Sequence, residues 1–203
     1  MIPRHIEAIA IGASAGGIDA LTVLLPALPA SLAAAVFIVL HLPRERPSLL
    51  TEIFRGQCAL PVREAEDKDA ALPGTIYFAP PDYHLLIETG PRIALSIDAP
   101  VHHSRPSIDV LFESAADVYA QRLMGIILTG ANEDGSDGFE AIRRAGGMTI
   151  AQDPAEALAT RMILSALSRG PADLVLPLER IAALLRSLGT PDGGATLRMP
   201  QGA

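Results

Sequence analysis

The sequence predicts an α/β fold with a doubly wound, mainly parallel sheet, helices on both faces and a β-hairpin insertion. Apolar runs such as IEAIAI (6–11), AAAVFIVL (33–40) and MGIILTG (124–130) are typical of strands covered on both faces. Stretches with helical periodicity alternate with these runs, and that alternation favours a parallel sheet. Because the chain has 203 residues, 49% of them hydrophobic, it can form a large core.

The first part of the chain is expected to alternate strand and helix. A helix is predicted over residues 17–25 and ends at Pro26, because proline cannot continue a helix. A short helix is predicted over residues 48–55 with Ser48 as its N-cap. Residues 20–40 carry no charge, but two prolines and a serine interrupt them. This run therefore indicates two elements and a turn rather than a membrane span.

The middle and the end of the chain contain a predicted hairpin and four further helices. Residues 72–97 alternate short β-rich runs with turn signals, which predicts a hairpin or small meander. An amphipathic helix follows over residues 107–120, with Ser107 as its N-cap. The other predicted helices cover 137–147, 159–169 and 177–188, and MTIAQD (148–153) is a predicted short strand.

The predicted organisation is one domain over residues 1–188 and a flexible tail over 189–203. The tail is rich in glycine and proline and has no core pattern. The net charge is −7 and no lysine or arginine cluster is present, which argues against a nucleic-acid partner. Cys58, the single cysteine, excludes an internal disulfide and is expected to be an ordinary thiol. Without a signal-peptide pattern, we expect a cytoplasmic protein that does not insert into membranes.

The glycine-rich segment GASAGG, residues 12–17, joins the first predicted strand to the first predicted helix. A Walker loop needs a lysine after its last glycine, where this chain has Ile18. A dinucleotide fingerprint needs a glycine in place of Ser14 and an acidic residue in place of His41. A nucleotide-binding module is therefore disfavoured, while a looser phosphate-binding turn stays open.

Ser14 fits the pattern of a nucleophile. Residues 12–16 match Gly-x-Ser-x-Gly, a sharp strand–turn–helix that exposes the serine hydroxyl. The hydroxyl needs a base, and His41 ends the next predicted strand. The ends of these strands lie about 4.8 Å apart if they are neighbours, and about twice that with one strand between them. Both distances are within side-chain reach. The alternative for the Gly-x-Ser-x-Gly match is a purely structural turn. The alternative for His41 is a histidine at a strand end without a catalytic role.

A histidine base also needs a carboxylate that holds its tautomer and favours the imidazolium. Asp134 and Asp137 follow the apolar strand ending near Thr129, in a glycine-containing loop at the edge of the sheet where such sites lie. The pattern does not decide between the two carboxylates, and a solvated acidic turn is the alternative for either. The order serine, histidine, aspartate differs from that of α/β-hydrolases, but a triad is defined by its geometry.

These motifs resemble the catalytic domain of the chemotaxis protein-glutamate methylesterase family, CheB. The resemblance runs from about Ile6 to Leu188. It rests on five segments in order: IAIGASAGGIDAL, VLHLP, LPGTIYFAPPDYHL, SRPSIDVLFESAA and GIILTGANEDGSDG. The resemblance implies hydrolysis of glutamate γ-methyl esters on the cytoplasmic helices of chemoreceptors, with release of methanol. It also implies deamidation of certain receptor glutamines.

The resemblance also assigns roles to residues. It implies Ser14 as nucleophile, His41 as base and Asp134 as carboxylate, without a metal or organic cofactor. The Ala15 amide is a candidate oxyanion donor, because the residue after such a nucleophile often has this role. Arg105 begins a loop beside the expected site. It either holds the substrate backbone or only caps local structure.

Two departures from the family pattern set further expectations. Family members usually carry an N-terminal receiver domain, whereas the catalytic pattern here starts within the first ten residues. We expect a stand-alone esterase that is regulated otherwise, or a fragment of a longer chain. The family's aspartate loop typically reads LTGMGxDG, and here Ala131, Asn132 and Glu133 replace Met-Gly-x. Ala131 then offers at most a backbone amide to an oxyanion, and Glu133 adds a negative charge near Asp134.

Two functions therefore stay open: an active esterase, and a catalytically weak CheB-like docking module in a chemosensory pathway. The complete set of triad residues favours the first, and the altered aspartate loop is the argument for the second. Three other histidines show no known metal-ligand spacing and are expected to be solvated loop residues: His84, His102 and His103.

Overall fold

The computed structural model describes residues 4–42, 49–189 and 195–197. Its strands are β1 (Arg4–Ile6), β2 (Ala8–Ala13), β3 (Ala35–Leu40), β4 (Val62–Glu64), β5 (Ile76–Phe78), β6 (His84–Glu88), β7 (Arg92–Ser96), β8 (Leu123–Ile127), β9 (Met148–Gln152), β10 (Leu174–Leu176) and β11 (Ala195–Leu197). Its helices are α1 (Gly17–Leu24), α2 (Leu50–Arg55), α3 (Ile108–Tyr119), α4 (Ser136–Arg144), α5 (Arg161–Ser168) and α6 (Leu178–Arg186), with 3₁₀ turns at Leu25–Ala27 and Ala120–Arg122.

Seven parallel strands form the central sheet in the order β10-β9-β8-β2-β3-β5-β4. All residues of β2 and β3 are buried. Because successive side chains of a strand point to opposite faces, Ile9 and Ile11 join one core layer, and Ala8 and Ala10 join the other. Helices α1, α2 and α6 cover the first layer, and α3, α4 and α5 cover the second. The predicted doubly wound fold is confirmed.

The predicted hairpin is confirmed, but its residue range is narrower than expected. β6 and β7 pair antiparallel, with Ile87 opposite Ile93. The preceding segment Ile76–Phe78 belongs to the main sheet instead, where it lies between β3 and β4. A three-residue buried strand gives no periodicity that distinguishes a hairpin arm from a central strand. The edge strands β4 and β10 have three residues each and were not predicted for the same reason.

Helix boundaries differ from the predictions by at most three residues. Helix α1 ends at Leu24, and Pro26 lies inside the following 3₁₀ turn rather than directly after the helix. Ser107 is the N-cap of α3, as predicted, and its hydroxyl accepts a hydrogen bond from the Val110 amide. The predicted cap Ser48 lies outside the described residues.

The C-terminal part of the chain includes one strand that the sequence did not reveal. β11 pairs antiparallel with β1, with Thr196 opposite His5. The remaining tail residues, 190–194 and 198–203, lie outside the described part of the chain, so their flexibility stays a prediction. Within the described ranges, no helix is long and apolar enough to cross a membrane.

The environment of Cys58 agrees with an ordinary thiol. It is half-buried, packs against the core layer beside α1 and α2, and burial raises the pKa of its thiol to about 11. Since the thiolate is the reactive form, we expect iodoacetamide to alkylate Cys58 at pH 8 at least about tenfold more slowly in the folded protein than in urea. The rate should rise toward pH 11. Mass spectrometry of timed aliquots measures it, and equal rates in both states would contradict the assigned environment.

Candidate active site

Ser14 and His41 follow two strands that are direct neighbours in the sheet. In the parallel pair β2–β3, Ala13 lies opposite Leu40, and the His41 amide donates to the Ala13 carbonyl at 3.1 Å. Each functional residue comes immediately after its paired strand end. Of the two spacings that the sequence left open, the structure therefore has the shorter, about 4.8 Å between strands.

The turn that carries Ser14 is shaped by Gly16. Gly16 has φ 81° and precedes α1, which begins at Gly17. The Ser14 amide donates to the Thr129 carbonyl at 2.9 Å, and the Gly17 amide donates to the Ser14 carbonyl at 2.8 Å. The residue of this turn in the left-handed backbone region is therefore Gly16, whereas Ser14 does not have a positive φ. These bonds hold the serine between β2 and the loop after β8.

Replacing Gly16 by alanine should damage this turn. A Cβ there would lie 2.9 Å from the Leu158 Cβ, and its positive φ is unfavourable for a side chain. We expect a loss of about 1–3 kcal/mol in the free energy of unfolding, measured by urea denaturation. The matched control is Gly56→Ala, because nothing lies within 4 Å of a Cβ at Gly56, where φ is −87°. Equal stability of the two variants would contradict the assigned role of Gly16.

His41 forms a hydrogen bond with a buried carboxylate. Its Nε2 lies 2.8 Å from Oδ2 of Asp134, whose side chain is 0% exposed. Asp134 also accepts hydrogen bonds from the Ser107 hydroxyl at 2.7 Å and from the Ile108 amide at 2.7 Å. Burial alone would raise the pKa of Asp134, but these hydrogen bonds outweigh it and lower the pKa below its usual range. The carboxylate is therefore ionised at neutral pH and fixes the imidazole.

Asp137 does not share this position. It lies in the first turn of α4, its side chain is 44% exposed, and it accepts from the Arg169 guanidinium at 2.7 Å. Of the two carboxylates that the sequence left open, Asp134 is the one that the structure brings to His41.

The other ring nitrogen of His41 faces Asn132, which is not among the site residues predicted from the sequence. Asn132 Nδ2 lies 3.4 Å from His41 Nδ1 and 3.2 Å from the Ser104 hydroxyl. Its Oδ1 is buried and has no hydrogen-bond partner among the described residues. The signal was present in the sequence, since Asn132 stands where the family pattern has glycine.

The remaining predicted site residues lie on loops near His41. Ala15 and Ala131 are exposed, on the loops after β2 and β8. Arg105 borders a cavity of about 80 Å³ beside His41. Its guanidinium donates to Asp82 at 2.8 and 3.0 Å and to the carbonyls of the two residues that follow β7. These contacts favour the structural interpretation of Arg105 over a substrate-binding one.

The expectation that His84 is a solvated loop residue is wrong, and Glu133 has ion-pair partners of its own. His84 is not a solvated loop residue: it lies in β6, is 1% exposed, and accepts from the Ser107 amide at 3.2 Å while its Nε2 contacts the Ala99 carbonyl. The Glu133 carboxylate lies 3.5 Å from His102 and 3.3 Å from Arg161. The negative charge of Glu133 is therefore partly balanced by the Arg161 guanidinium.

The fold and site define a class of protein: an α/β protein with a serine, a histidine and a buried carboxylate at the carboxyl edge of its parallel sheet. Comparison with known sequences narrows the class, because the CheB methylesterase family model matches residues 9–185. The chain belongs to the CheB methylesterase family. The predicted resemblance is confirmed.

Individual relatives agree with this assignment. A Leptospira interrogans protein is 45% identical over 178 residues, which cover 88% of this chain and 92% of that protein. The protein-glutamate methylesterase/protein-glutamine glutaminase of Symbiobacterium thermophilum is 40% identical over 189 residues, covering 93% of this chain and 52% of that protein. This chain thus spans about half of some relatives. The crystal structure of the Thermotoga maritima CheB methylesterase catalytic domain superposes with a TM-score of 0.86, at 32% identity, over 90% of this chain and 98% of that one.

Proposed function

We propose that this protein is a serine hydrolase that demethylates glutamate γ-methyl esters on the cytoplasmic helices of chemoreceptors, releases methanol, and deamidates glutamines. The observation that carries the proposal is the 2.8 Å contact of His41 with ionised Asp134 beside Ser14, in a chain of this family. Relatives with the same domain bear the name of both activities. The proposed place of action is the cytoplasm.

In this proposal, the two ring nitrogens of His41 have different roles. Asp134 holds the Nε2 side of the ring, so Nδ1 is the nitrogen left to take the Ser14 proton. As that proton moves, the carboxylate favours the imidazolium, and the serine oxygen attacks the ester carbonyl. The imidazolium returns its proton to the leaving oxygen, and methanol departs. Water then attacks the acyl-enzyme by the same route, and for a glutamine substrate the leaving group is ammonia.

The developing oxyanion needs nearby donors. The Ala15 amide lies just before α1, and the Ala131 amide lies on the loop after β8, whose Thr129 carbonyl holds Ser14. We propose these two amides as the oxyanion donors. Backbone donors of this kind contribute on the order of 3 kcal/mol each to stabilisation of the transition state.

The direct test is methanol release from a methylated chemoreceptor cytoplasmic fragment at pH 7.5. The full chain should release methanol from this fragment and none from its unmethylated form. Ammonia release from a fragment with glutamine at the same positions tests deamidation separately. If binding to the fragment occurs without either product, and fluorophosphonate does not label Ser14, the esterase proposal fails.

That failure would support the second candidate function, a catalytically weak docking module. One observation favours it: the Asn132 side-chain amide lies within hydrogen-bond distance of His41 Nδ1. In the proposed mechanism, this nitrogen must accept the proton of Ser14. In the described part of the chain, the hydrogen bonds of the His41 side chain go to Asp134 and Asn132, and none goes to the Ser14 hydroxyl.

Asn132→Gly restores the family's glycine at this position, while Ala131 still replaces the methionine, and it removes this competing donor. We expect kcat/KM for methanol release to rise about fivefold, the rate equivalent of about 1 kcal/mol for one hydrogen bond. The matched control is Gln57→Ala, because Gln57 is an exposed amide just after α2 that donates to the Ile53 carbonyl, away from the site. It should leave the rate unchanged. A lower rate in Asn132→Gly would mean that the asparagine positions the ring.

A further inference from the structure

A second group of ionisable side chains lies behind the active-site carboxylate. His102 belongs to the loop before α3, Asp109 lies in the first turn of α3, and Asp137 lies in the first turn of α4. One potential ligand atom from each lies within 4.8 Å of the others. His102 Nε2 is 3.5 Å from Asp109 Oδ2. The sequence hides this group, because its members come from three separate segments.

Asp109 is the residue that points to a ligand. It is 3% exposed, and its Oδ1 accepts a hydrogen bond from the Gly138 amide at 2.7 Å. Its Oδ2 is buried, has no hydrogen-bond partner in the described part of the chain, and faces His102. A buried carboxylate oxygen without a hydrogen-bond partner is costly, so a cation between it and His102 would compensate it.

The surroundings of His102 orient its ring for coordination. Its Nδ1 lies 3.5 Å from the Glu133 carboxylate, which leaves Nε2 toward Asp109. A carboxylate behind a histidine is the usual way in which proteins fix the tautomer and ring orientation of a metal ligand. Glu133 therefore supports the ligand set, although it stands in a loop that departs from the family pattern.

We propose that His102, Asp109 and Asp137 bind a divalent transition metal of the zinc type. One imidazole nitrogen with two carboxylate oxygens matches the ligands of zinc, whereas calcium and magnesium take oxygen ligands. With bonds of about 2.1 Å, tetrahedral ligands lie about 3.4 Å apart, close to the 3.5 Å between His102 and Asp109. Three protein ligands leave a fourth position for water.

The proposed metal site lies beside a cavity lined mainly by carboxylates, and it is hydrogen-bonded to the active-site residue Asp134. Asp137, whose Oδ1 pairs with the Arg169 guanidinium at 2.7 Å, borders a cavity of about 600 Å³. Arg144, which pairs with Glu140 at 2.8 Å, also lines this cavity, together with three further carboxylates: Glu113, Asp117 and Glu140. The excess of carboxylates over arginines raises the local concentration of cations. The Asp109 amide donates to Asp134 at 3.2 Å, so the metal would brace the helix end that holds the catalytic carboxylate.

The test is isothermal titration of the full, untagged chain with Zn²⁺. We expect one site per chain, and at least about tenfold weaker binding in His102→Asn and in Asp137→Asn. Asparagine is chosen for His102 because it tolerates the φ of 47° there. The matched control is His103→Asn, since His103 is the adjacent histidine, has φ 63°, and lies outside the ligand set. It should bind Zn²⁺ like the wild type.

Thermal denaturation gives a second readout that does not depend on activity. Zn²⁺ should raise the Tm of the wild type and of His103→Asn by the same amount, and should raise that of His102→Asn less at the same Zn²⁺ concentration. Circular dichroism of the metal-free variants checks that they fold. The proposal is overturned if no Zn²⁺ binds, if His102→Asn binds as tightly as the wild type, or if Mg²⁺ and Ca²⁺ bind as tightly as Zn²⁺. If no Zn²⁺ binds, ion pairs of His102 with Asp109 and Glu133 explain why these side chains lie together.

Discussion

Ser14→Ala is expected to reduce methanol release at least about a thousandfold, because the acyl-enzyme cannot form without the serine oxygen. The same substitution should change the free energy of unfolding by less than about 0.5 kcal/mol, since it deletes one partly exposed hydroxyl. Initial rates of methanol release and urea denaturation of the two proteins measure these two quantities.

The control for this experiment is Ser168→Ala, an exposed serine at the end of α5 whose hydroxyl donates to the Ser165 carbonyl, away from the site. It should keep the wild-type rate. Fluorophosphonate should label wild-type protein and Ser168→Ala at Ser14, and should not label Ser14→Ala. Full turnover in pure Ser14→Ala protein would remove the nucleophile assignment, and with it the mechanism proposed for His41.

Asp134→Asn is expected to lower kcat by about 10⁴-fold, since the neutral amide no longer holds the required tautomer or stabilises the imidazolium. Stability should fall as well, by about 2–4 kcal/mol. The buried carboxylate accepts from His41, Ser107 and the Ile108 amide, and an asparagine would turn an NH₂ group toward one of these donors. Kinetics and urea denaturation at pH 7 measure both effects.

The stability difference should depend on pH with a defined sign. The pKa of Asp134 is lower in the folded protein than in the unfolded chain, where it is about 3.9. Its ionised form therefore contributes stability above about pH 4, and this contribution is lost as the pH falls through the folded-state pKa. The gap between wild type and Asp134→Asn should shrink as the pH is lowered below about 4.

The matched control is Asp67→Asn, an exposed carboxylate that accepts a hydrogen bond from the Leu95 amide in the hairpin. An asparagine oxygen can accept the same bond, so rate and stability should stay close to those of the wild type. A small rate loss in Asp134→Asn, with a pH-independent stability gap, would mean that the carboxylate is structural rather than part of the reaction.

The sequence predicted the features that depend on neighbouring residues. The apolar runs at residues 8–13 and 35–40 indicated strands buried on both faces, because every side chain of such a strand lies in one core layer or the other. The GASAGG turn indicated a tight connection, and its glycines are what let Ser14 follow a strand and precede a helix within three residues. The sequence motifs also predicted membership of the CheB methylesterase family, which the match of the family model confirms.

Contacts between distant residues were decided only by the tertiary structure. His41 and Asp134 are 93 positions apart, and only the family resemblance, not the local residue pattern, favoured Asp134 over Asp137. The strand order that places β2 between β3 and β8 brings one of them to the imidazole and leaves the other with Arg169. The contact of Asn132 with His41 has the same origin. Periodicity and turn chemistry are properties of adjacent residues, whereas the partner of a buried charge depends on which segments the folded sheet brings together.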